Sequence, residues 1–106
     1  MMPGKGAIPV QARSPVYTKT VTVSPTAAGT TSTTISFNKD ARVLKLKAIG
    51  TVQGYVTFSI GGFSYDMPFG TNTPSEQDVN LAVGQSWTLS VYATAAGTII
   101  LTAVYQ

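Results

Sequence analysis

Along TVQGYVTFSI (51–60), Val52, Val56, Phe58 and Ile60 alternate with Gln53, Tyr55, Thr57 and Ser59. A period of two sends these sets to opposite faces of an extended chain, so the segment suits a sheet with one dry and one wet face. The same beat recurs. TTISF (33–37) places Ile35 and Phe37 together, and RVLKLKAI (42–49) sets Leu44, Leu46 and Ala48 inward against Lys45 and Lys47. VNLAV (79–83) aligns Val79, Leu81 and Val83, and SWTLSVYAT (86–94) aligns Trp87, Leu89, Val91 and Ala93. TIILTAVY (98–105) departs from the rule. Ile100 and Val104 oppose Ile99, Leu101 and Ala103, so both faces of that strand are expected to be covered.

Turn chemistry divides these segments. VYTKTVTVS (16–24) closes at Pro25, Asn38-Lys39-Asp40 supplies a turn, and Gly61-Gly62 leads into FSYDM (63–67) as a hairpin. PFGTNTPSEQ (68–77) reads as a loop, and Gly84-Gln85 as a two-residue turn. TAAGT occurs twice, at 26–30 and 94–98, each time between strands, with Gly29 and Gly97 available for positive φ. About eight strands at near-regular spacing predict an all-β fold: a single antiparallel β-sandwich, jelly-roll-like, over residues 16–106. Residues 1–15, MMPGKGAIPVQARSP, hold three Pro and two Gly without periodicity and read as an extended N-terminal arm.

Composition narrows the chemistry. Sixteen Thr and nine Ser stand where Lys and Glu are usual, and only 10% of residues are charged. Thr and Val favour strands, in keeping with the pattern. The chain has no Cys and no His, which removes disulfides, thiolate metal sites and the usual general base and nucleophilic thiol. The expectation is a protein that is not an enzyme, with no catalytic residue, cofactor or metal. No apolar run approaches the roughly 20 residues that span a bilayer, so no membrane partner is expected. MMPGKGAIPV lacks an apolar signal core, and synthesis in the cytoplasm is expected.

Charge is unevenly spread. All seven basic residues fall in 1–53 beside one acid, Asp40, while Asp66, Glu76 and Asp78 follow with no base, so the two halves carry +6 and −3. Lys45 and Lys47 are candidate interface charges for Asp66, Glu76 or Asp78 of a neighbouring copy. The three acids with Asn72 could contribute to a hard-cation site, but they lack D-x-D-x-D spacing and read better as solvated charges. Lys39, Arg42, Lys45 and Lys47 beside Gln53 and Tyr55 would suit nucleic acid only weakly, since one clear exposed aromatic is too few. Tyr55 and Tyr92 both fall on outward positions, which keeps a carbohydrate-binding β-sandwich module open as an alternative.

A low-charge, Thr-rich surface and a two-faced terminal strand favour a chain that works in an assembly. With the arm MMPGKGAIPVQARSP, the lack of Cys and His, and the terminal VNLAVGQSWTLSVYATAAGTIILTAVY, the chain resembles the small β-sandwich decoration (cement) proteins of tailed-phage capsids. The resemblance implies a homotrimer seated on the major capsid protein lattice, on the virion's capsid exterior, reinforcing it. A head-fibre or tail-associated virion protein is the alternative within virions. An arm so rich in Gly and Pro cannot bury enough of its own surface to offset ordering, so it is expected to dock on a partner chain. Ile8 and Val10 would supply apolar contact there, and Lys5 and Arg13 would meet acidic groups.

Overall fold

The computed structural model describes residues 15–106, and the arm residues Lys5, Ile8, Val10 and Arg13 lie outside them. Six antiparallel strands carry the described chain: β1 (Tyr17–Val23), β2 (Gly29–Gly50), β3 (Gly54–Ile60), β4 (Phe63–Phe69), β5 (Ser75–Ala93) and β6 (Ile99–Tyr105). No helix occurs among the described residues. The strands form one hydrogen-bonded sheet in the order β1-β6-β2-β5-β3-β4.

The expected sandwich of about eight strands is therefore one sheet of six, because two expected turns do not interrupt the chain. At Asn38-Lys39-Asp40, β2 stays extended while its partner shifts from Ser86 opposite Ser36 to Gly84 opposite Ala41. The extra residues form a bulge, which bends a strand without ending it. Gly84, at φ 73, turns β5 at the same level, and Asn80 at φ 53 turns it again. Positive φ costs little for Gly and is tolerated by Asn, so β5 bends where Gly84-Gln85 was expected to stop it. The expected loop 68–77 shrinks likewise to residues 70–74, because β4 runs through Phe69 and β5 begins at Ser75.

Bending lets β2 and β5 each serve two neighbourhoods. Residues 43–50 of β2 lie between β6 and the 75–81 stretch of β5, with β1 beyond β6. Residues 86–93 of β5 pair with 29–36 of β2, and 90–93 also pair with β3, which pairs β4. Side chains from both neighbourhoods share one core that includes Ile35, Val43, Leu46, Val56, Leu89 and Leu101. No polar or charged residue is buried among the described residues, so burial is apolar throughout.

Most expected phases hold: Ile35 and Phe37, Val56 and Phe58, and Trp87, Leu89, Val91 and Ala93 are all buried. Trp87 meets Phe58 edge-on at 5.8 Å. In β2 the expected phase fails at one residue. Val43 is buried and Leu44 only half-buried, because a register shift between Val43 and Lys45 inverts the alternation before Leu46 and Ala48 resume it. The last strand is fully buried on one face only: Ile99, Leu101, Ala103 and Tyr105 are buried, whereas on the other face Val104 is half-buried and Ile100 is 39% exposed.

The repeated TAAGT serves two purposes. Gly29 has φ 147, but Gly97 does not share a positive φ. A Cβ on Gly97 would instead come within 2.7 Å of Thr51 Oγ1 and 2.9 Å of Val52 Cγ1. The Gly97 N–H donates to the Pro25 carbonyl (3.1 Å), so the two repeats lie side by side. One Gly gives a backbone angle and the other gives close approach.

Candidate functional site

Two surfaces carry the polar side chains that the strands order. The first is the outer face around β6 and the C-terminal part of β2. Antiparallel register sets Lys45 opposite Asp78 and Lys47 opposite Glu76. Lys45 Nζ donates to Glu76 Oε1 at 3.0 Å and approaches Asp78 Oδ1 at 3.8 Å. The hydrogen bond and the charge of Glu76 raise the Lys45 ammonium above its ordinary value, and Lys45 in turn lowers the Glu76 carboxyl. Arg42 continues the edge by donating to the carbonyl and Oδ1 of Asn80 (3.3 and 3.1 Å). Of the candidate interface charges, Lys45, Glu76 and Asp78 thus meet within one chain, with Lys47 across the ladder from Glu76.

Asp66 belongs elsewhere. It faces Thr57 across the β3–β4 ladder and accepts from Thr57 Oγ1 at 2.7 Å. Among the described residues no group of three acidic, Cys or His side chains could hold a metal ion. Tyr55, expected near Lys45 and Lys47, pairs instead with Tyr92 and Pro68, in a row that meets β2 at Thr30 and not at the two lysines.

The second surface is the outer face of β3, β4, the C-terminal part of β5 and the N-terminal part of β2. Because Val56, Phe58, Trp87, Leu89 and Val91 point inward, their neighbours point out. Rows across the strands read Thr30, Tyr92, Tyr55 and Pro68, then Ser32, Ser90, Thr57 and Asp66. Thr34 and Thr88 follow, their hydroxyls 3.1 Å apart. Tyr55 and Tyr92 stack at 5.0 Å between ring centroids with 24° between planes, and Tyr55 is 37% exposed.

Beside this pair the sheet opens. The β3–β5 ladder ends at Thr57 opposite Ser90, beyond which β5 bends away towards Gly84 while β3 continues with β4. The divergence leaves a groove of about 380 Å³ whose lining includes the hydroxyls of Thr57, Ser59, Ser86, Thr88 and Ser90. Buried Phe58 and Trp87 close it from inside, and Leu81 and Val83 flank it. Sequence reasoning found the two tyrosines but not the groove. Its one local signal was Gly84, and a turn glycine does not say which strand pair separates.

An aliphatic patch completes the inventory. Ile49 and Ile100 are register partners on the outer face, 37% and 39% exposed, beside a shallow depression of about 160 Å³ that Thr51, Asn72 and Thr98 help to line.

No family model matches the sequence, and no curated protein does. Solved structures share its β character at a distance. The C-terminal domain of A223, a structural protein from Sulfolobus turreted icosahedral virus, aligns with a TM-score of 0.46 at 14% identity, over 87% of this chain and 98% of that one. The Tobacco streak virus coat protein aligns at 0.37 and 14% identity, over 81% and 85%. A mutant family 29 carbohydrate-binding module, CBM29-2, aligns at 0.47 and 7% identity, over 82% and 69%. Likeness this remote carries no argument about what the chain does.

Proposed function

We propose that the chain is a structural virion protein, a jelly-roll domain that decorates and stabilises a phage capsid from its exterior. The observation that carries the reading is the double use of β2 and β5. It yields two four-strand neighbourhoods, β1-β6-β2-β5 and β2-β5-β3-β4, sharing one core. Treated as eight segments, that connectivity supports the jelly-roll reading, an architecture that viral capsid and lectin domains use. The low charge, the Thr-rich surface and the lack of His and Cys suit a chain whose work is contact, not catalysis. The exposed Ile49–Ile100 pair supports self-association, with a homotrimer as the proposed state.

The arm, residues 1–15, is proposed to engage the major capsid protein, with Ile8 and Val10 as apolar anchors and Lys5 and Arg13 on acidic groups. The test is attachment to particles. Full-length chain mixed with capsids lacking it should co-sediment, and a chain lacking residues 1–14 should not. Mass spectrometry of purified virions should find the protein, and sedimentation equilibrium at micromolar concentration should give the trimer mass. A truncated chain that still fills the capsid, or virions without the protein, would remove the reading.

A further inference from the structure

We infer that the outer face along the β3–β5 seam is a binding track for a neutral oligosaccharide, with the Tyr55–Tyr92 pair as its aromatic end and the adjoining hydroxyl-lined groove as its pocket. The two parts are continuous. Tyr55 and Tyr92 form one cross-strand pair, Thr57 and Ser90 the pair two residues along, and the groove opens where pairing stops. From Tyr92 to Ser86 the track is about 20 Å long at strand rise, the scale of a short oligosaccharide.

Its chemistry selects the ligand class. Among the described residues no side chain lining the groove is ionisable, and the nearby Asp66 carboxylate is engaged by Thr57. A charged ligand would leave water for a site with no counter-charge, which is unfavourable. Hydroxyls on Ser59, Ser86, Thr88 and Ser90 both donate and accept, matching the hydroxyls of a sugar. Tyr55 and Tyr92 stack on each other, so they offer the track apolar ring edges and phenolic hydroxyls that donate and accept. Buried rings behind a few convergent polar groups are the make-up of a small-molecule site. An extended peptide fits less well. The β5 edge beside the groove is broken by Gly84 at φ 73 and Asn80 at φ 53, so a straight strand cannot follow it.

The inference does not depend on capsid attachment, and its test uses the isolated full chain. Backbone amide shifts would be followed by NMR during titration with cellotetraose, mannotetraose and xylotetraose, with tetragalacturonate as the acidic comparison. Trp87 is the chain's single tryptophan and lines the groove, so its emission gives a second readout. At least one neutral sugar should shift Tyr55, Thr57, Thr88, Ser90 and Tyr92 and alter Trp87 emission. Tyr55→Ala and Thr88→Val should each weaken that binding about tenfold, while Tyr17→Ala, on the far edge strand, should leave it unchanged. The wild-type shift map tests the site even where a variant melts early. Silence from all three neutral sugars at about 10 mM, shifts mapping elsewhere, or response to the acidic sugar alone would overturn the inference.

Discussion

Gly54 shows how a single residue can hold a sheet together by having no side chain. It sits on β3 between Ala93 and Phe69, and a Cβ there would run into the Tyr92 carbonyl oxygen and come within 2.8 Å of Phe69 Cζ. Backbone cannot yield as a flexible side chain can, so Gly54→Ala should destabilise the fold by about 2–3 kcal/mol. Gly70→Ala is the control. Its Cβ would meet nothing nearer than Thr73 Cβ at 3.5 Å, and its effect should stay within about 0.5 kcal/mol. Trp87 makes the opposite case: it is 7% exposed and packed edge-on against Phe58. Trp87→Ala should cost about 3–5 kcal/mol by urea unfolding, and a cost below about 1 kcal/mol would contradict its burial.

At the scale of elements, the β2–β5 ladder couples register to charge. The pairing that sets Lys45 opposite Asp78 also brings it to Glu76, and the pair makes stability depend on pH at both extremes. Glu76 is lowered from its ordinary 4.5 by the Lys45 hydrogen bond and charge, so its contribution is present above pH 4.5 and lost as pH falls through the folded-state value. Lys45 is raised from 10.5 by Glu76, so its contribution is present below pH 10.5 and lost as pH rises through its folded-state value. Both groups are solvent-exposed, so the effect is small and screened by salt. Melting temperatures from neutral pH to below pH 4.5 should fall less steeply for Glu76→Gln than for the wild type. The difference should fade in about 1 M salt. Parallel curves at low salt would show that the ion pair has no linkage to folding.

For the whole molecule, the decisive feature is that one core serves both neighbourhoods of the sheet. Among the described residues every member of that core lies between Val23 and Tyr105, and a segment as rich in Gly and Pro as residues 1–14 has little apolar surface to add, so the fold is expected to stand without it. A chain lacking them should keep a β-type circular dichroism spectrum and melt within a few degrees of the full chain. A collapse in melting temperature would assign the arm to the fold and leave the capsid-docking test without a folded probe. Edges are the remaining weakness of such an architecture, and β1 and β4 end the sheet on either side. β4 presents Phe63 and Tyr65, 70% and 49% exposed, near its hairpin turn, where self-association could add to the contact proposed at Ile49 and Ile100.

Alternation along single strands was enough to specify an all-β antiparallel chain, the burial of Trp87, Leu89 and Val91, and the outward placement of Tyr55 and Tyr92, because side-chain direction in a strand is a local property. Strand count was not local. Asn38-Lys39-Asp40 and Gly84-Gln85 carry turn residues, yet they become bends inside β2 and β5 because each strand's partner crosses between neighbourhoods at the same level. The inverted phase at Val43 and Leu44 has the same origin: a register shift needs a second strand to exist. Gly97 looked like a turn glycine, but the approach of Thr51 and Val52, distant in sequence, is what excludes a side chain there. The groove is the furthest from the sequence. It exists only because β3 and β5 part after Thr57 and Ser90, and the separation of two strands is decided by the path of the whole chain.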